Sequence, residues 1–232
     1  DLEKFLGKSQ EVAVYVEQAH GTLFGARIES VHIAVAQKNE MTIVWNEETK
    51  NFIKEFLEDE RIMKIVYDGK NLLHIFQKEN IDLRGIAFDV LLAAYILNSD
   101  SRVEFEHLVF QECGTEDMFW PAEKILELRK IYDQRLDEVS KTQKTGKALR
   151  QVFELIEMPL IPVLFTVEMN GIYLNTEKFH TLANELQKEL VSLQKDIYQL
   201  AGREFNINSP KQLSEILFQD LQIPKTNLKK TK

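Results

Sequence analysis

The most informative stretch for the fold is IMKIVYDGKNLLHIFQKENIDLRGIAFDVLLAAYIL, residues 62 to 97. Its first six residues, Ile62–Tyr67, are mostly apolar and β-branched and predict a strand. Apolar residues at helical spacing follow over 72–76, and a short strand is predicted over 81–88. Asp89 can cap the apolar helix predicted over Val90–Leu97. Strand, helix, strand and helix in this order predict a sheet with helices packed on it.

The residues before this stretch predict three more strands and one helix. The strands are Val12–Val16, Ser30–Val35 and Met41–Trp45, and helical spacing of apolar residues covers 51–57. Three strands joined by short turns are typical of an antiparallel meander. We therefore expect an α/β first half with a mixed sheet.

The second half of the chain is predicted to be helical. One helix covers Ala122–Val139, a polar break covers 141–147, and a further helix runs from about Ala148 to Met169. Asn170-Gly171 has two interpretations, because Asn-Gly can end a helix or form a two-residue hairpin turn.

A helix of about 25 residues is predicted after Asn175 and ends at Gly202. Its apolar residues, spaced by three and four, form one stripe. The stripe comprises Phe179, Leu182, Ala183, Leu186, Leu190, Leu193, Ile197 and Leu200. A last helix is predicted from Ser209-Pro210-Lys211-Gln212, with Ser209 as cap and Gln212 completing a capping box, to Pro224.

Composition and charge indicate a globular chain with an uneven charge distribution. The 232 residues are 44% hydrophobic and 28% charged, with a net charge of −8. Residues 203–232 carry a net charge of +3, so the remainder carries −11. An acidic body repels a polyanion and a basic end attracts one, although two independently solvated surfaces are the simpler alternative.

Cysteine usage and hydropathy limit the cellular environments that fit this sequence. Cys113 is the only cysteine, which excludes an intramolecular disulfide and fits a reducing environment. No apolar run approaches the ~20 residues of a membrane helix, and no signal peptide is recognisable. The chain starts on Asp1 rather than Met, so we expect it to be part of a longer protein.

A search for catalytic motifs returns little. There is no phosphate-binding glycine loop, no zinc-ligand spacing and no nucleophile elbow, and the five histidines are scattered. A two-metal nuclease needs several converging carboxylates, two of which can lie at i and i+2 of a strand. Tyr15-Val16-Glu17 offers only one acid there, and Asp1-Leu2-Glu3 precedes any predicted strand.

Two long stretches carry a specific resemblance. One is IDLRGIAFDVLLAAYILN, residues 81–98; the other extends from FELIEMPLIPVL, 153–164, through EMNGI, 168–172, to EFNINSPKQL, 204–213. In this order they resemble bacterial DNA polymerase I, of the family A DNA polymerases, and most resemble the members from bacilli that do not proofread. Lys229-Lys-Thr-Lys232 resembles the start of the basic segment at the thumb tip.

The resemblance implies a domain organisation. Residues 1–115 would form a 3′–5′ exonuclease-like domain with the ribonuclease-H-like fold, a mixed sheet with helices. Residues 116–150 would be a helical connection. Residues 151–232 would be the all-α start of the polymerase domain, leading into the thumb, without the palm and fingers that polymerise.

The resemblance also implies that the proofreading site is degenerate. The family's Asp-x-Glu corresponds to Tyr15-Val16-Glu17, and its Asn-x-x-x-Asp places Asp68 and Leu72 at the two conserved positions. No Tyr-x-x-x-Asp occurs, and an ungapped count places Lys124 and Leu128 there. Because a leucine cannot ligate a metal and three of four carboxylates are lost, we expect no catalytic or metal-binding residues. The alternative is a residual metal-dependent exonuclease that uses Glu17 and Asp68.

The C-terminal end is the expected DNA contact. In the family this region follows the backbone of duplex DNA, which implies phosphate contacts from polar and basic residues near a helix start. These are Asn206, Asn208, Ser209, Lys211, Lys229, Lys230 and Lys232. For Ser209 alone, helix capping is the competing interpretation.

The resemblance implies a monomeric part of a polymerase for replication and repair synthesis. Its partners would be primer-template DNA and the palm and fingers of its own chain, with no membrane contact, in the bacterial cytoplasm at the nucleoid. No cofactor is expected for this segment, and Mg²⁺ for the parent polymerase. A third interpretation is an unrelated structural protein that self-associates through the 179–200 stripe.

Overall fold

The computed structural model of the chain describes residues 2–7, 9, 11–19, 27–36, 40–100, 102–142 and 146–224. It divides into two compact units, residues 1–171 and 172–232. The division lies at neither 115 nor 150, so the compact units differ from the predicted segments.

A five-stranded mixed sheet forms the centre of the first unit. Its strands are β1 (Glu11–Ala19), β2 (Arg27–Val35), β3 (Met41–Val44), β4 (Met63–Val66) and β5 (Ile86–Asp89), in the spatial order β3-β2-β1-β4-β5. β3, β2 and β1 pair antiparallel, while β1, β4 and β5 pair parallel. The predicted meander and the predicted mixed sheet are confirmed.

Eight α-helices and one π-helical turn are described in this unit. They are α1 (Leu2–Leu6), α2 (Glu47–Glu58), α3 (Gly69–Lys78), α4 (Val90–Leu97), α5 (Phe105–Cys113), α6 (Pro121–Thr142), α7 (Gly146–Val152), the π-helical turn Phe153–Glu157 and α8 (Met158–Asn170). The helix predicted from about Ala148 to Met169 is thus three consecutive helical segments.

Two hydrophobic cores use the alternation of side chains along the strands. Val12 and Val14 of β1 pack with α2, α3 and Ile161 of α8, whereas Ala13 packs with α4, α5 and α6. α6 contributes Ile125, Leu128, Tyr132 and Leu136 to the second core. The segment expected as a connection is therefore integral to the first unit, because its apolar face covers the sheet.

The strand predicted over 81–88 is shorter than expected. Ile81 and Leu83 are buried but precede β5, which starts at Ile86. Gly85 has φ +73°, and a Cβ there would lie 2.6 Å from the Ile62 carbonyl oxygen. The close approach of these two segments bends the chain out of strand geometry until Ile86.

The Asn-Gly ambiguity is resolved as a helix end. Gly171 ends α8 with φ 65° and ψ −165°, and its N–H donates to the Val167 carbonyl. Residues 172–175 form no strand, so the hairpin alternative is wrong.

The second unit contains the long predicted helix. α9 (Thr176–Ala201) is capped by Asn175, whose side chain accepts from the Lys178 N–H, and ends at Gly202 with φ 70°. α10 (Pro210–Glu215) and a π-helical turn (Ile216–Asp220) follow. The apolar stripe of α9 is exposed within this unit; Leu190 is 60% exposed.

The start of α10 differs from the predicted capping box. Ser209 accepts from the Gln212 N–H, but the Gln212 side chain accepts from the Asn206 N–H and not from Ser209. Helical structure ends at Asp220, before Pro224. In the part of the chain that the structure describes, no helix is both long and apolar enough to span a membrane.

Candidate functional site

The four residues that the sequence resemblance predicts as degenerate exonuclease positions lie together in one cleft. Tyr15, Glu17, Asp68 and Leu72 all line a cavity of about 830 Å³ beside β1 and the start of α3. The parallel pairing of β1 and β4 explains this arrangement. Val14 lies opposite Val66, so the residues that follow Val14 in β1 lie beside the residues that follow β4.

Tyr15 is held by aromatic packing. Its ring stacks on buried Phe105 of α5 with centroids 5.1 Å apart and meets His32 edge-on at 5.9 Å. Burial and the nearby Glu106 carboxylate raise the pKa of the Tyr15 hydroxyl. A neutral, stacked phenol therefore occupies the position at which the resemblance implies a metal-binding carboxylate.

Glu17 is the acid that the resemblance predicts to be retained, and its carboxylate contacts two neighbouring side chains. It accepts a hydrogen bond from Ser30 Oγ at 2.8 Å, and His32 Nε2 lies 3.5 Å away. The hydrogen bond from Ser30 lowers the pKa of Glu17, opposed by partial burial and assisted by His32. Glu17 is thus an ionised carboxylate with two protein donors.

Asp68 and Leu72 occupy opposite environments at the start of α3. Asp68 is the N-cap in the left-handed region (φ 56°, ψ 63°) and accepts from the Asn71 N–H at 3.3 Å. Leu72 is 5% exposed and belongs to the first core. Asp68 therefore contributes a polar carboxyl group to the lining of the cleft, while Leu72 contributes apolar surface.

Asp89 organises the backbone beneath the cleft. Its carboxylate accepts N–H groups of Leu91 and Leu92, as the cap prediction required, and also those of Asp68 and Gly69. Burial raises the pKa of Asp89 to about 6, against the lowering effect of these N–H groups. A Cβ at Gly69 would lie 3.2 Å from Asp89 Oδ2, so glycine permits this approach.

The third block of the exonuclease pattern does not reach the cleft in the ungapped register. Leu128 is fully buried in the second core, and Lys124 Nζ pairs with Glu127 at 3.0 Å. Only Pro121 of α6 lines the cleft. The register is wrong because Leu128 lies two turns into the helix, on its core face.

The residues in the cleft do not fit the two metal ions that the family's exonuclease fold implies. Within the described ranges, no three histidine, cysteine, aspartate or glutamate side chains are grouped to hold a metal ion. Tyr15 and Leu72 supply no carboxylate, and Glu17 is bonded to Ser30.

The predicted DNA contacts are partly within the described chain. Asn206, Asn208 and Lys211 are exposed, and Ser209 is half-buried. The Asn206 side-chain oxygen accepts from the Asn208 N–H at 3.0 Å, so that amide also shapes the turn. Lys229, Lys230 and Lys232 lie outside the described residues.

Sequence reasoning missed one cluster, formed by His32 and Glu40. His32 Nδ1 lies 2.6 Å from Glu40 Oε1, and the Glu40 side chain is fully buried. No short sequence motif identifies this pair. The other partners of Glu40 are the backbone N–H groups of Ala122 and Glu123, which lie 82 and 83 residues further along the chain.

Comparison with known proteins shows which family this chain resembles. The model of the DNA polymerase I ribonuclease H-like domain matches residues 14–118, and that of DNA polymerase family A matches 176–232. Relatives named DNA polymerase I include those of Caldicellulosiruptor bescii (34% identical, covering 83% of this chain and 22% of the relative) and Geobacillus stearothermophilus (32%, 76% and 22%). That of Pseudomonas aeruginosa is 31% identical, covering 74% of this chain and 21% of the relative.

A solved structure shows the same fold. It is described as the POL domain of Pol1 from M. smegmatis in complex with DNA primer-template and dNTP, with a TM-score of 0.74, 24% identity and coverage of 99% of this chain and 40% of that one. The expected ribonuclease-H-like mixed sheet followed by helices is confirmed. The chain spans about a fifth of the length of the curated relatives it matches, and it belongs to the bacterial DNA polymerase I family.

Proposed function

We propose that this chain is a non-catalytic part of a DNA polymerase I, with an inactive exonuclease-like unit as scaffold and a C-terminal segment that contacts duplex DNA. One observation supports the first half: the three carboxylate positions that the resemblance implies in the first two blocks, Tyr15, Glu17 and Leu72, line one cleft, and only Glu17 is an acid. Two carboxylates of the family's set are replaced by packed side chains.

The charge of the cleft supports inactivity. Glu17, Glu29, Asp68 and Glu106 line it, and none of the lining residues in the described chain is a lysine or arginine. Even with a positive charge on His32, which also lines the cleft, the four acids give this concave surface an excess of negative charge that repels the phosphates of a single strand.

Contacts between α3 and α8 support the scaffold role. Glu168 of α8 accepts from Lys70 Nζ at 2.6 Å and pairs with His74 Nε2 at 2.7 Å. Phe165 packs edge-on against the His74 ring at 4.9 Å. The exonuclease-like fold thereby holds the last helix of its own unit in a defined position.

The DNA contact rests on exposed polar groups and charge. Asn208 and Lys211 are exposed beside the start of α10, and residues 203–232 carry a net charge of +3. Amide and ammonium groups of this kind position a protein on phosphates without selecting a sequence. The contact would serve primer-template DNA held by the whole polymerase, in the cytoplasm at the nucleoid. Polymerisation and its Mg²⁺ would belong to the palm.

The first half is tested by a calorimetric Mn²⁺ titration. We expect no saturable binding in the millimolar range, because the cleft lacks a converging carboxylate set. Saturable binding that Glu17→Gln and Asp68→Asn each abolish would overturn the inactive assignment.

The second half is tested by fluorescence anisotropy with a primer-template duplex across a salt series. Lys211→Ala should weaken binding and reduce the slope of log affinity against log salt by about 0.9, the value for one lost phosphate contact. The matched control is Lys130→Ala, an exposed lysine of α6. Equal effects of both variants would contradict a specific contact at α10.

A further inference from the structure

His32 lies between two carboxylates that come from different elements. Its Nδ1 is 2.6 Å from Glu40 Oε1, and its Nε2 is 2.9 Å from Ser30 Oγ and 3.5 Å from Glu17 Oε2. The imidazole is largely buried, with 10% of the side chain exposed.

The hydrogen-bond partners determine where the ring protons are. Ser30 Oγ donates its single hydrogen to Glu17, so it can only accept from His32 Nε2. An ionised Glu40 carboxylate can only accept, and its bond to His32 then requires a hydrogen on Nδ1 as well. A ring that donates from both nitrogens is an imidazolium.

Glu40 extends this arrangement to α6. Its Oε2 accepts the N–H groups of Ala122 and Glu123, and Glu123 Oε1 accepts the Glu40 N–H at 3.0 Å. Glu40, in the segment that precedes β3, therefore caps the N-terminus of α6, and Glu123 of α6 caps the Glu40 backbone in return. The N-terminus of α6 is thereby connected to β2 through one buried carboxylate.

We propose that His32 is a built-in cation, clamped between Glu17 and Glu40, that fastens β1, β2 and the N-terminus of α6 at one wall of the cleft. The His32 side chain then supplies the positive charge beside the Glu17 carboxylate. This proposal does not depend on the DNA contact or on the missing exonuclease activity.

The neighbouring groups favour the cation. Glu17 and Tyr15 face His32 from β1, Glu40 faces it from the segment before β3, and Glu123 lies one bond further on α6. Thr42 Oγ1 is 3.2 Å from Nδ1 and can accept as a second partner. The pKa of His32 is raised: burial lowers it, and the bonds to Glu40 and Glu17 outweigh that effect.

The direct test is the ¹⁵N chemical shifts of the His32 ring in the 232-residue chain at about pH 7, where an ordinary histidine is mostly neutral. We expect the imidazolium pattern, with both nitrogens protonated, and a return to the neutral pattern in Glu40→Gln. Glu29→Gln, which removes a charge from the same cleft, should leave the pattern unchanged. A neutral tautomer in the wild-type chain would overturn the proposal.

Thermal unfolding gives an independent readout. A raised pKa stabilises the fold below the unfolded pKa of about 6.5, and this stabilisation is lost as the pH rises through the folded pKa. The Tm difference between wild type and His32→Gln should therefore narrow by about 2 °C or more between about pH 6 and about pH 9. A difference that is constant over this range would contradict the clamp.

Discussion

At the residue scale, packing holds in place the two side chains that, in the proposed inactive site, replace metal-binding carboxylates. Tyr15 stacks on Phe105, and Leu72 is part of the first core. Both substitutions are visible in the sequence once the motif is aligned. The engagement of Glu17 by Ser30 and His32 is not, because it depends on the pairing register of β1 and β2.

Asp89 gives a pH-dependent prediction. Its pKa is raised to about 6 from 3.8, so its contribution to stability is largest below about pH 4 and is lost as the pH rises through about 6. From about pH 7 to about pH 4, wild type should gain stability relative to Asp89→Asn by up to about 3 kcal/mol. Urea unfolding at each pH measures the difference, and the exposed Asp100→Asn is the control. A wild-type stability that rises relative to that of Asp89→Asn as the pH increases from about 4 to about 7 would contradict the assignment.

At the element scale, the sequence predicted the existence and type of most strands and helices, and the contacts between elements set their ends. β5 begins late because Gly85 approaches Ile62. α6 could be predicted as a helix from its spacing, but the cap that Glu40 provides at its start is 82 residues distant. Helical periodicity alone also does not distinguish α7, the π-helical turn and α8 from one continuous helix.

Gly85 and Gly114 form a matched pair for testing close approach. Both have φ near +70°, but a Cβ at Gly114 meets no atom within 4 Å in the described chain, whereas at Gly85 it meets the Ile62 carbonyl oxygen. Gly114→Ala should cost about 1 kcal/mol, the expense of the backbone conformation. Gly85→Ala should cost about 2–4 kcal/mol, because the backbone must also move. Equal losses of unfolding free energy in urea would show that the approach of Ile62 to Gly85 adds nothing to the cost of the substitution.

Lys64 of β4 provides a second prediction at this scale. Its side chain is fully buried, donates to the Asp59 carbonyl, and lies over the Phe56 ring. Burial lowers the pKa of Lys64 to about 8. The buried ammonium therefore destabilises the fold below about pH 8, and this destabilisation decreases as the pH rises to about 10.5. Lys64→Met should raise the free energy of unfolding by about 1–3 kcal/mol at neutral pH.

The gain from Lys64→Met should shrink between about pH 8 and about pH 10.5, which denaturant titrations at several pH values will follow. Lys54→Met changes a more exposed lysine of α2 and serves as control. A variant that is less stable than wild type at neutral pH would show that the bond to Asp59 outweighs the cost of burying the ammonium.

At the scale of the whole chain, an acidic exonuclease-like unit precedes a helical unit with a basic end. Composition already indicates this asymmetry, and the sequence resemblance indicates what each part derives from. The division at residue 171 follows from packing, since α6, α7 and α8 complete the first unit. Repulsion of phosphates at the acidic cleft and attraction of DNA at the basic end are both expected from this charge distribution.

The most direct measurement is a 3′–5′ exonuclease assay on a 5′-labelled single strand, with Mg²⁺ or Mn²⁺ and an EDTA control. We predict no metal-dependent shortening of the strand, because the cleft retains too few carboxylates to bind the metal pair. A ladder of shortened products that requires the metal and disappears in Glu17→Ala and Asp68→Ala would contradict the account.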